Sequence, residues 1–233
     1  MKRFYETAEA TRTSDGWAIA LDGRAVKTPA RKPLAMASRK LADAIAAEWA
    51  GQEEDIDPAA MPLTGLANAA IDQVAPCRED FAAEIAGYGE TDLLCYRADS
   101  PAALSSQQCT AWDPLLNWAA KRFDIAFETT TGIVHRPQPE MTVARLKAAT
   151  EAYGPFHLAG LSPLVRIGGS LVAALALAEK AFDEETVWAA TRVDEDWQAS
   201  QWGDDEDAIA TRDARHREFR AGMRFLRLLE SGD

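Results

Sequence analysis

Histidine and cysteine are scarce in this chain, three of each in 233 residues, and their spacing excludes several chemistries. Cys77, Cys95 and Cys109 stand 18 and 14 residues apart, which fits neither a metal knuckle nor a disulfide framework. They are expected to be buried thiols in a reducing cytoplasm. His135, His157 and His216 have no second ligand at helical spacing, so solvated or hydrogen-bonded imidazoles are the expectation rather than a zinc site. A nucleophile elbow is missing too: Ser162 in GLSPL is followed by Pro163 and Leu164, and reads as a helix cap. The IGGS run from Ile167 lacks the lysine and spacing of a phosphate loop. No catalytic residue, metal or cofactor is expected.

Long apolar runs and excess positive charge are also absent. The stretch from Leu158 to Ala178 is broken by Pro163, Arg166, Gly168, Gly169 and Ser170, which suits a buried helix better than a membrane span. No apolar signal core opens the chain, and Glu6 and Glu9 come early for the acid-poor helix of a transit peptide, so a cytoplasmic protein is expected. The net charge of −12 argues against nucleic acid and anionic membrane, both of which need clustered Lys and Arg. With 47% hydrophobic residues, the chain can bury a sizeable core.

What is present divides in two. From Phe4 to Met36 the signals are those of strands: Asp22-Gly23 supplies a two-residue hairpin turn, and pairing across it sets Ile19 opposite Val26. Trp17, Ile19, Leu21 and Val26 then share a face that needs a cover. Ser38 caps a helix whose stripe Leu41, Ile45, Trp49 can supply one, with Trp49 mostly buried and Gly51 ending the helix in a left-handed turn. Pro58 and Pro62 stiffen an acidic elbow, after which Thr64 can cap a second helix. The fold class expected is α+β, with a small β-rich domain over residues 1–60 and a mainly α-helical domain over 61–233.

The second part carries helices over about 101–123, bent or restarted at Pro114 with Asp113 as cap, then over 142–153, 184–202 and 207–229. Between these, Ser162-Pro163 opens the most hydrophobic helix, expected to run to Phe182 through Gly168 and Gly169 and to sit at the centre of the helical core. Charge is uneven. Residues 184–207 hold nine Asp/Glu and only Arg192, and VDEDWQASQWGDDED sets Trp197 and Trp202 among acids. On a helix, Asp194, Gln198 and Gln201 share one flank, with Glu195 and Trp202 near another. Two readings stand: indoles plugged into the core with acids facing water, or a partner surface with indole anchors.

The order EW at Glu48, Gln52, Ile56, Pro58, MPLT, Leu66, Asn68, AID, together with DGRAVKTP, DLLCYRA, WDPLLNWA and the acidic WG segment, resembles the ATP-twelve family. These are assembly chaperones for the soluble head of the F-type ATP synthase. The resemblance spans nearly the whole chain and implies a β-rich part followed by a helical part. It further implies transient binding of the unassembled alpha subunit by a non-enzyme, with partner-binding residues at Asp194, Glu195, Gln198, Trp202 and Trp49. A cytoplasmic monomer of bacterial type is the accompanying expectation. Rivals from other classes are a small-molecule enzyme using clustered carboxylates and a structural subunit of a stable complex.

Overall fold

The computed structural model describes residues 1–203 and 205–229; Asp204 of the acidic segment lies outside them. A four-stranded antiparallel sheet opens the chain, with strands β1 (Ala8–Thr13), β2 (Gly16–Leu21), β3 (Arg24–Ala25) and β4 (Ala35–Met36). The centre is β2, which pairs with β1 from Ala8↔Leu21 to Thr13↔Gly16, with β3 at Ala20↔Ala25 and with β4 at Trp17↔Met36. Asp22 and Gly23 take φ of 48° and 75°, the two positive values of a type I′ turn whose twist matches the strands. The amides of Glu6 and Thr7 donate to the Asp22 carboxylate, and the Thr7 amide foremost holds that carboxyl below its ordinary range. Gly16 admits no side chain: its φ is +140° and a Cβ would stand 2.4 Å from the Met36 carbonyl oxygen.

Helix α1 (Arg39–Ala50) is capped by Ser38, whose hydroxyl accepts from the Leu41 amide and donates to the Leu228 carbonyl. It covers the sheet: Ile19, Leu34, Leu41, Ile45, Leu63 and Phe225 form one apolar cluster, all fully buried. Leu21 turns to a smaller cluster with Tyr5, Ile56 and Met61. Gly51 ends α1 with right-handed backbone, φ −76° and ψ −3°, because its amide still bonds the Ala47 carbonyl; the expected left-handed turn does not form. Nor is Thr64 a cap. Helix α2 (Pro62–Ala69) begins two residues earlier, and its free amides are met from outside, by Glu48.

After α2 the chain widens into a π turn over Ala70–Val74, tightens over Ala75–Cys77, and continues as α3 (Arg78–Gly87). A short parallel pair joins β5 (Tyr96–Arg97) to β6 (Thr130–Thr131). Seven more helices complete the described chain: α4 (Ala102–Phe123), α5 (Glu140–Glu151), α6 (Pro155–Gly168), α7 (Leu171–Ala178), α8 (Glu184–Ala190), α9 (Val193–Trp202) and α10 (Glu206–Leu229). The contacts group into two compact units. Among the described residues one comprises 1–78, 154–160 and 221–229, the other 79–153 and 161–220.

Several helix boundaries depart from expectation. α4 runs unbroken through Pro114, and Asp113 does not cap it but accepts from Arg97 at 2.6 Å. The hydrophobic helix starts at Pro155, passes Pro163 and stops at Gly168. Gly169 takes φ +64°, a left-handed value that glycine adopts at low cost, and Ser170 recaps the chain by accepting from the Ala173 amide. Every residue of α7 is buried, while α4 packs against α7, α8 and α9, so the hub of the helical unit is shared. The 184–202 segment is two helices, broken at Thr191 and Arg192. Of the cysteines, Cys95 is buried but Cys77 and Cys109 are exposed.

Candidate partner-binding surface

The polar residues of the motifs turn out largely to tie elements together. Glu48 receives the amides of Leu63 and Thr64 and the Thr64 hydroxyl, each at 2.8 Å, so its carboxylate closes the N-terminus of α2 where a negative charge is favoured. Gln52 is buried, with its side-chain carbonyl on the Asp57 amide and its NH2 on the Glu48 carbonyl. Asp72 in the π turn accepts from the Thr28 hydroxyl at 2.7 Å and the Ala30 amide at 2.9 Å, fastening AID to KTP. In the helical unit, buried Arg97 of DLLCYRA reaches Asp113 of WDPLLNWA. The Trp112 indole N–H donates to the Ala190 carbonyl at 2.6 Å.

Asp92, fully buried, accepts from the Leu94 and Val172 amides at 3.1 and 3.0 Å. Burial raises its pKa to about 6, against the lowering effect of these donors and of Ser170. The same burial, with Asp92 close by, lifts the Cys95 thiol to about 12, which makes it inert.

The five predicted site residues fall in three settings. Trp49 is mostly buried; it packs against both apolar clusters of the first unit, stands edge-on to Tyr5 at 5.8 Å, and its indole N–H meets no acceptor among the described residues. Asp194 faces inward enough to accept from the buried Gln108 amide at 2.6 Å, while the other end of Gln108 takes the Ala98 amide at 2.7 Å. Glu195, Gln198 and Trp202 occupy one groove with Arg192, Arg212, Arg215, Asp205 and Asp207, about 520 Å³ in volume.

The grouping follows from spacing. Positions 195, 198 and 202 lie within one helical face at 3.6 residues per turn, so Gln198, one turn after Asp194 on the same flank, also reaches the groove of Glu195 and Trp202. Glu195 bridges two guanidinium groups, that of Arg192 and, at 3.3 Å, that of Arg215. Arg192 is buried and also binds Asp196 at 2.8 Å. Trp202 is 80% exposed, at the C-terminus of α9 where Gly203 turns the chain with φ 82°. Arg212 and Arg215 join this surface from the last helix, whose arginines the sequence offers as partners for the acids, and Arg215 does pair with Glu195; Arg192 was not expected there. The signal available was Arg192 as the one cation among nine acids, since an isolated buried arginine needs carboxylates around it.

These features define a helical surface of mixed charge with an exposed indole at its edge. The ATP12 chaperone protein family matches residues 2–120. Over the whole fold the chain is similar to Atp12 from Paracoccus denitrificans, at 41% identity with 98% of both chains covered and a TM-score of 0.94. An aspartate-to-lysine variant of that Paracoccus protein matches equally, at 41% identity over 98% of both chains and a TM-score of 0.94. A protein from Agrobacterium tumefaciens matches at 39% identity, covering 98% of this chain and 86% of that one, also with a TM-score of 0.94. The chain belongs to the ATP12 chaperone family. No helix among the described residues is long and apolar enough to cross a membrane.

Proposed function

We propose that this chaperone binds the free alpha subunit of the F-type ATP synthase and shields its assembly interface until the partner subunit arrives. It does so as a cytoplasmic monomer, without cofactor or catalysis. The observation that carries the reading is Trp202. An indole left 80% exposed beside a carboxylate that already bridges two arginines adds nothing to the packing of an isolated protein but suits an interface, where Trp and Arg are favoured anchors. Asp194, Glu195, Gln198 and Trp202 would meet the client, the acids steering encounter with a basic patch. Trp49 would act by supporting the first unit and by any client contact of its open edge.

Mixing the pure protein with isolated, folded alpha subunit and following the pair by size exclusion tests this. Co-elution that weakens as salt rises is the expected result. A permanent complex that survives addition of the remaining head subunits would favour a structural subunit, and absence of any complex would overturn the proposal.

A further inference from the structure

Helix α9 has a second face. Val193, Asp196, Trp197 and Ser200 lie about 180° around the helix from Glu195, Gln198 and Trp202 at 3.6 residues per turn. They line a separate groove, about 600 Å³, whose other walls are α4 and the α8 region. Its apolar surface comes mainly from Trp197, Val193, Ala111, Pro114, Phe182 and Ala189. That volume lies in the range of specific binding clefts, and its walls are helices, between which a further helix packs most readily.

Two observations say what fits. Asp196, the charged residue among those lining the groove, is already paired with Arg192, so the selecting charge comes from the exposed carboxylates Asp183 and Glu185, which adjoin Phe182 and Thr186 of the same wall. The Thr186 amide and hydroxyl donate to Asp183 at 2.8 and 2.9 Å and hold it below the ordinary carboxylate range, so it stays charged. Among the described residues, no Lys or Arg lines the groove. The α4 wall is neutral, yet it offers an acceptor. Pro114 sits inside α4 and has no N–H, so the Thr110 carbonyl loses its normal intrahelical bond, and both residues line the groove.

We propose that this groove receives a short amphipathic helix of the client, with apolar residues on Trp197 and Pro114 and a Lys or Arg flank toward Asp183 and Glu185. The inference rests on the client reading above and adds a second, mainly apolar contact to the charged one on the other face of α9. The acidic rim selects a cationic flank.

Filling the groove tests it. Ala189→Trp on α8 and Gln107→Trp on α4 both start from exposed residues, so each should melt as the parent does. Binding to isolated alpha subunit should fall about tenfold or more in either variant, as expected when a central apolar contact is blocked. A labelled helical peptide of Leu and Lys should bind the parent by fluorescence anisotropy and lose binding in both variants, while a Leu and Glu peptide should not bind. Variants that melt normally and hold the alpha subunit as tightly as the parent overturn the groove alone. So does a parent that ignores the Leu and Lys peptide. A parent that takes up the peptide through the groove but forms no complex with the alpha subunit overturns the client reading instead.

Discussion

Glu48 and Glu195 are both motif carboxylates on helices, and their surroundings differ in kind. Glu48 is half-buried and saturated by three donors fixed in the N-terminus of α2. Glu195, its side chain 49% exposed, pairs with guanidinium groups that water also reaches on one side. The first arrangement pre-positions neutral donors around one charge in a partly dry site, so it contributes to folding. The second joins a half-exposed carboxylate to buried Arg192 and exposed Arg215; its Arg215 half is screened by water, contributes little to folding and is easily rearranged by a partner. Around α1 the family spelling encodes attachment of elements to each other; on α9 it leaves Gln198 and Trp202 facing solvent.

Substitutions can break this contrast. The largest effect is expected from Trp49→Arg, which removes indole packing from two apolar clusters and places a guanidinium against them. A loss of about 3 kcal/mol or more should show as a collapsed urea midpoint. A variant that unfolds like the parent yet fails to hold the alpha subunit would make Trp49 a client contact and not a support.

Asp92 gives a nearly equal effect, but one that depends on pH. Its folded pKa of about 6 exceeds the unfolded value of 3.8, so the folded state binds the proton more tightly. That contribution is fully present below about pH 4 and is lost as pH rises to 6. The stability of the parent relative to Asp92→Asn should therefore shrink between pH 4 and pH 7, by up to about 3 kcal/mol, because each tenfold difference in proton affinity is worth roughly 1.4 kcal/mol. A difference that is flat over this range, measured by denaturation at each pH, would show that the amides and Ser170 offset the burial.

Glu48→Ala should cost about 2 kcal/mol, since two amides lose a charged acceptor and no side chain at the N-cap position of α2 takes its place. Glu48→Gln should recover part of this, which a merely electrostatic role would not allow. At the small end, Glu195→Lys should change stability by less than about 1 kcal/mol, because Arg192 keeps Asp196 and exposed pairs are worth little. Its effect belongs to binding: complex formation with the alpha subunit should drop and lose its salt dependence. A melting temperature that falls as far as that of Trp49→Arg would erase the distinction between the two regions.

Local chemistry was legible wherever a few neighbouring residues decide the outcome. The Asp22-Gly23 turn, the Ser38 cap, the stripe Leu41, Ile45 and the register of Ile19 with Val26 all follow from positive φ, capping donors and periodicity within a dozen residues. The α+β class followed from these and from the helical spacing beyond residue 60. Legibility failed where a distant residue changed a local preference. Pro114 should interrupt a helix, yet α4 continues, packed against α7, α8 and α9. Gly168 and Gly169 looked like tolerated helix residues but form the break, where the Gly169 carbonyl accepts the Leu93 amide.

For the candidate surface, composition alone marked the acid and indole segment, and helical spacing could relate Glu195, Gln198 and Trp202. What the sequence could not assign was the partner of each side chain. Asp194 and Glu195 are adjacent acids with equal claims until Gln108, 86 residues away, takes the first, and Arg215, 20 residues away, shares the second. Burial obeys the same division: periodicity says which face of a helix is apolar, but only the packed neighbours decide whether water reaches it. Trp197 and Trp202 therefore read alike in sequence, while the fold half-covers one with α4 and α8 and leaves the other in solvent.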